Sequence, residues 1–144
     1  MFIGGVGPAE EELRSLIDRQ GLAGVVVRPG RVSDSERDAL YRIATALVFP
    51  STYEGFGAPV LEAMRAGCPA LVADATALPE VIGDAGVRLP TDDPDAWALA
   101  VGRLLDDPSE RERLAAAGRA RAARFTAAGS ATLLVGAYRA ALAT

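Results

Sequence analysis

Hydrophobic positions along this chain switch repeatedly between two periods. Short apolar runs bounded by glycine or proline alternate with longer stretches whose apolar residues recur every three or four positions. Five runs read as strands: Phe2-Ile3 leading into the Gly4–Pro8 turn, Val25–Val27 before Pro29-Gly30, Ala46–Phe49 before Pro50-Ser51, Pro69–Ala73, and Gly86–Leu89. The last is expected at a sheet edge, because Pro90 ends it and Arg88 faces outward.

The helical stretches carry their own punctuation. Leu13, Leu16 and Ile17 form a stripe that Gly21 caps. Ser33 and Glu36 make a capping box for a helix with Leu40, Ile43 and Ala44 inside. Ala58 to Ala66 continues as a helix until Gly67 and Pro69 stop it. Asp74 to Glu80 reads as a loop entering a short helix near Val81, with Asp74 and Glu80 expected to cap helices. Pro94 opens a helix over Ala96–Leu105. Asp107-Pro108 opens another, from Ser109 to Arg124, and Phe125-Thr126 breaks it. A last amphipathic helix holds Leu133, Leu134 and Tyr138, free to cover the sheet or reach another domain. Strands alternating with helices predict an α/β fold: a doubly wound, Rossmann-like parallel sheet of about five strands with trailing C-terminal helices.

The Ala46–Phe49 strand, the Glu54–Gly57 loop and the Ala58–Ala66 helix form the unit on which the functional reading rests. The loop leaves the carboxyl end of a strand, where open α/β sheets bind ligands. Amides of Phe56, Gly57, Ala58 and Val60 fall at or near a helix N-terminus, where first-turn N–H groups lack internal partners and suit a diphosphate. Gly55 and Gly57 permit close backbone approach. Glu54 and Glu62 flank the turn, and each carboxylate can accept two hydrogen bonds from a vicinal diol. Diol acceptors on both sides of an anion site match a sugar nucleotide. The Gly4–Pro8 turn also resembles a dinucleotide loop, but the third glycine is replaced by Glu10, and Glu10, Glu11 and Glu12 would repel a phosphate.

Composition narrows the chemistry. The 144 residues are 50% hydrophobic and 24% charged, which describes one globular domain with a real core. A net charge of -4 argues against a nucleic-acid partner. Histidine and lysine are both missing, which removes a histidine base, a Schiff-base lysine and a P-loop. The single Cys68 allows neither an internal disulfide nor a Cys/His zinc site, and is expected as a small buried residue. No signal peptide or membrane span is legible, so the cytoplasm is the default compartment. The arginine-rich, lysine-free composition suggests a GC-rich, bacterial source.

Phe49-Pro50-Ser51, Glu54-Gly55-Phe56-Gly57, Glu62-Ala63-Met64 and Gly67-Cys68-Pro69 resemble the signature of the family 4 (group 1) retaining glycosyltransferases of the GT-B fold. Seven residues separate the two glutamates, as in that family's spaced pair. Gly4–Pro8, Gly30-Arg31-Val32-Ser33, Leu78-Pro79-Glu80-Val81 and Asp106-Asp107-Pro108 follow in the family's order. The resemblance implies that residues 1–144 are a nucleotide-sugar donor-binding domain. It would transfer a sugar from a nucleotide-diphosphate donor with retention, and without metal or other cofactor. Glu54 would hold the donor sugar in the catalytic centre, as a positioning group rather than a nucleophile. Gly55 to Val60 would supply backbone, and Glu62 would take the ribose. Arg31 and Val32, at a strand end, would lie near the base.

The family pairs this domain with an N-terminal acceptor-binding domain, through which any membrane contact would run. That domain, the first strand and helix, and an Arg/Lys pair on the donor phosphates are all expected to be missing. The isolated chain should therefore bind donor weakly and transfer little. A non-catalytic sugar-nucleotide module or partner subunit is the alternative. A sugar-nucleotide epimerase fits less well, because its acid/base residues are not visible, and a glycosidase using Glu54 and Glu62 least well. Phe56 is left between core anchor and site residue, and Tyr53 between cleft and surface. Trp97 is expected against the sheet or the last helices. Arg111, Arg113, Arg119, Arg121 and Arg124 are expected on a solvated helix face.

Overall fold

A computed structural model describes residues 1–142. The chain divides into two compact units, Met1–Arg37 and Asp38–Thr144.

In the first unit, helix α1 (Glu10–Arg19) ends where the Gly21 N–H bonds to the Asp18 carbonyl and the Leu22 N–H to Ile17. That is the paired closure a glycine after a helix permits. Neither apolar run of this unit becomes a strand. Phe2–Gly4 and Val27–Gly30 touch through one parallel bridge, Ile3 to Gly30, with the Phe2 N–H on the Val27 carbonyl at 2.9 Å. The Val25 and Val26 amides both turn back to the Leu22 carbonyl, so they cannot join a ladder. The expected strands at Met1–Gly5 and Val25–Val27 are thus reduced to that single bridge. Helix α2 (Asp34–Ile43) opens on the expected capping box: the Glu36 N–H reaches Ser33 Oγ at 3.3 Å and the Ser33 N–H reaches the Glu36 carboxylate at 2.7 Å.

The second unit holds the sheet. Strands β1 (Leu47–Phe49), β2 (Ala70–Ala73) and β3 (Val87–Leu89) lie parallel in the order β1-β2-β3, three strands among the described residues rather than five. Arg88 is exposed on β3, an edge strand as expected. Helix α3 (Ala58–Ala66) connects β1 to β2, α4 (Leu78–Ile82) connects β2 to β3, and α5 (Pro94–Asp106), α6 (Pro108–Ala122) and α7 (Ala127–Leu142) follow.

All four residues of β2 are buried, and the neighbours Leu71 and Val72 enter different clusters. Val72 packs with Val60, Met64, Leu78 and Ile82; Leu71 packs with Leu89, Leu104 and Leu114. Two covered faces are what a doubly wound sheet requires of its middle strand. Trp97 touches both clusters, and its indole N–H donates to the Pro90 carbonyl at 2.7 Å. By contrast α7 buries no residue, and Leu133, Leu134 and Tyr138 stand exposed. No helix among the described residues is long and apolar enough to cross a membrane.

Candidate functional site

The site begins where β1 runs out. Pro50 has no N–H to extend the ladder, and Ser51 Oγ donates to the Tyr53 carbonyl at 3.3 Å, turning the chain. Tyr53 resolves as a surface aromatic, 84% exposed. Glu54 comes next, half-buried, and its backbone N–H donates to Thr76 Oγ1 at 3.0 Å. Gly55 and Phe56 are open to solvent. The Phe56 ring meets Phe125 edge to face, centroids 6.0 Å apart, so it anchors the loop without entering the main core.

Gly57 closes the turn as the residue before α3, with φ of 80°. No side chain caps this helix, and Pro59 occupies its first turn. Among the described residues, no hydrogen bond takes up the N–H groups of Gly55, Phe56, Gly57 or Ala58. The Val60 amide differs. It donates to the Gly57 carbonyl at 2.9 Å and its side chain is wholly buried, so the expectation of a free Val60 N–H is corrected: the residue supports the turn from within. Glu62 sits at the fifth position of α3, half-buried, between the buried Leu61 and Ala63. The helix ends at Gly67 (φ 83°), whose N–H bonds to Met64 while that of Cys68 bonds to Ala63.

Beside the turn lies a groove lined by Gly55, Phe56, Ala77, Pro79, Glu80 and Arg121. The arginine forming its floor corrects one expectation. The Arg121 guanidinium donates to the carbonyls of Val81 (3.0 Å) and Glu80 and stacks 5.1 Å over the Phe125 ring. Arg65 donates to the Phe125 carbonyl at 3.0 Å, and Arg111 to those of Leu104 and Leu105. Of the arginine cluster, Arg113, Arg119 and Arg124 stay exposed as expected, Arg113 paired with Glu110, while Arg111 and Arg121 are half-buried. Guanidiniums with five donors tie down carbonyls at helix ends, which a periodicity argument does not reveal. Asp74 and Glu80 are exposed and neither caps α4, whose preceding residue is Ala77 with no side-chain cap. That expected role is likewise corrected.

Arg31 and Val32 belong to the first unit, Arg31 exposed and Val32 half-buried. They follow the isolated bridge at Gly30 rather than the end of a strand, and the Arg31 guanidinium lies over Gly5. In the same unit a groove runs along the Gly4–Pro8 turn. Glu10 does not stand there as a bare negative charge. It is paired with Arg14 at 2.6 Å and with Arg28, and these bonds, Arg28 first, hold its carboxyl at about 2.

Cys68 is buried as expected, and desolvation pushes its thiol up to about 11, which removes the thiolate from the chemistry near neutral pH. The described residues contain no group of three or more acids or thiols placed to share a metal ion. What the turn offers instead is unengaged amides at a helix N-terminus, with a carboxylate-bearing residue on each side. Thr76 is the residue of this region that the sequence reading passed over, and Arg121 the one it placed on a solvated face. Thr76 has φ of 48°, the one non-glycine residue with positive φ among those described.

Comparison with known proteins agrees with this architecture. The family model for glycosyl transferases group 1 matches residues 1–121. The O-antigen chain mannosyltransferase B of Escherichia coli is 38% identical over 133 residues, covering 92% of this chain and 35% of that protein. Sucrose-phosphate synthase from Thermosynechococcus elongatus superposes with a TM-score of 0.84 at 28% identity, over 98% of this chain and 38% of its own. Anabaena HepE, solved with UDP and glucose, gives 0.77 at 25% identity, over 85% of this chain and 35% of its own. The chain belongs to the group 1 glycosyl transferase family, and it spans about a third of the length of these relatives.

Proposed function

We propose that the chain is the nucleotide-sugar-binding part of a retaining glycosyltransferase. The observation that carries this reading is the Gly55–Ala58 turn at the carboxyl end of β1, exposed at Gly55, Phe56 and Ala58 with Gly57 buried beneath them, its amides unengaged and Glu54 and Glu62 on either side. In this reading those amides receive the donor diphosphate, where helix-terminal N–H groups stabilise negative charge as the nucleotide leaves. Glu62 accepts the ribose hydroxyls and Glu54 the hydroxyls of the sugar. No metal takes part, since backbone donors carry the charge that develops. Val60 holds the turn from below.

The span of about a third of its relatives supports a second proposal: an acceptor-binding domain or chain completes the enzyme, and this part alone transfers little. HepE was solved with UDP and glucose, which favours a nucleotide-diphosphate hexose as donor. The cytoplasm, where activated sugars are made, is the compartment we assign.

Isothermal titration of the chain with UDP-, GDP- and ADP-sugars tests the reading. Binding of one nucleotide class is expected, weakened by Glu54→Gln and by Glu62→Gln. Failure of the whole panel overturns it, and sustained transfer by the chain alone overturns the need for a second domain.

A further inference from the structure

We propose that Thr76 is a positioning residue of the donor site, its hydroxyl fixing the backbone from which the Glu54 carboxylate projects. This rests on the donor-site reading above. Thr76 belongs to the connection between β2 and α4, Glu54 to the connection between β1 and α3. The two loops leave neighbouring parallel strands at the same end of the sheet. Across the gap of 22 residues in sequence, the Glu54 N–H donates to Thr76 Oγ1 at 3.0 Å.

The backbone of Thr76 gives the second line of argument. A β-branched residue at φ of 48° is disfavoured, because its Cβ crowds the following carbonyl. Glycine or asparagine would occupy this conformation with less strain, but neither places a hydroxyl there. The strained threonine gains what glycine lacks, a side-chain acceptor for the Glu54 amide, and holds it on a hydroxyl close to the backbone. Strain of this kind is held where surrounding structure over-determines it. Here the neighbouring residues do so: Leu78, two positions on, is wholly buried against Gly57.

The Glu54–Gly57 turn is thereby held at three points. The Glu54 amide rests on Thr76, the Phe56 ring on Phe125, and Gly57 on Leu78. Only the first contact acts on the residue that carries the carboxylate. Removing it should loosen the grip on the sugar while leaving the diphosphate and ribose contacts in place.

The test uses the ¹⁵N-labelled chain with Thr76→Val, Thr76→Gly and Thr76→Ser. Amide exchange at Glu54 is followed by NMR, and affinities are measured for UDP against UDP-glucose and GDP against GDP-mannose. In Thr76→Val and Thr76→Gly we expect Glu54 exchange to accelerate and the extra affinity given by the sugar to fall roughly tenfold. Affinity for the bare diphosphates should stay within about twofold, and Thr76→Ser should resemble the natural chain in both readouts. Thr76→Gly, which relieves the strain, should melt no lower than the natural chain and still lose the sugar increment, a split that a purely structural role would not produce. An unchanged sugar increment or unchanged Glu54 exchange in Thr76→Val overturns the role of Thr76 alone. If the natural chain binds none of the four probes, the donor-site reading fails, and this role with it.

Discussion

Gly57 and Leu78 meet so closely that a Cβ on the glycine would stand 2.6 Å from Leu78 Cδ2. Leu78 is wholly buried at the start of α4, so its side chain can make room only by shifting within the core. Gly57 also needs its φ of 80° to deliver the chain into α3. Gly57→Ala should therefore destabilise the protein by about 2–4 kcal/mol, from the left-handed backbone and the overpacking together. Urea unfolding measures it. Combining it with Leu78→Ala should cost less than the sum of the two single changes, because the clash is removed.

Glu62 provides the sharpest test on the ligand side. Glu62→Gln keeps the shape and removes the charge, so a nucleotide diphosphate carrying its ribose should bind roughly tenfold less well. A 2′,3′-dideoxy nucleotide, lacking the diol, should bind the natural chain and the variant alike. Equal loss with both nucleotides would mean that Glu62 supports the helix rather than the ribose.

Two carboxylates make stability depend on acid in a defined direction. Asp107 caps α6, and its pKa is lowered by the Ser109 hydroxyl that donates to it, then by the Glu110 and Ser109 N–H groups at 3.0 Å each. A folded pKa below the unfolded one gives stabilisation that is complete above the unfolded value. It is lost as the pH falls through the folded value. Asp107→Ala should therefore lower the melting temperature at neutral pH, and the difference should shrink once the pH drops below about 4.

Glu10 obeys the same sign. Its carboxyl is held at about 2 by Arg28 and then Arg14, against an ordinary value of 4.5. NMR titration of the Glu10 carboxyl should give a midpoint near the lower value. Arg28→Met should raise that midpoint toward the ordinary range.

The last helix should tolerate what the core cannot. None of the residues of α7 is buried, so Leu133→Gln should change unfolding stability by no more than about 0.5 kcal/mol. Met64→Ala, at a wholly buried position, should cost about 2–5 kcal/mol in the same assay.

The parts of the fold that could be read from sequence are those settled within a few residues. The Ser33–Glu36 box, the stop at Gly67, the proline starts of α5 and α6 and the β1–turn–α3 unit all depend on neighbours in the chain, and all stand where the pattern puts them. Strand formation at Val25–Val27 depends on a distant partner, and local turns to Leu22 claimed the amides first. Arg121 looks solvated in its own helix; its acceptor carbonyls, Val81 and Glu80, lie 40 and 41 residues away. Thr76 offers no sequence signal, since nothing in Asp74–Leu78 marks a left-handed turn. Of the candidate site, the turn and its two acids were legible. What steadies them was not.

The parallel pairing of Phe49 with Val72 has a consequence for how this protein can change. Both loops of the candidate site start within a few residues of that pair, so the spacing of their roots is inherited from the ladder. Loop positions other than Gly57, Thr76 and the two glutamates are then free to drift without moving the loops apart. Ala70–Ala73, which never touches solvent, acts as the ruler, and a one-residue slip there would exchange its two buried faces and carry the loops out of alignment.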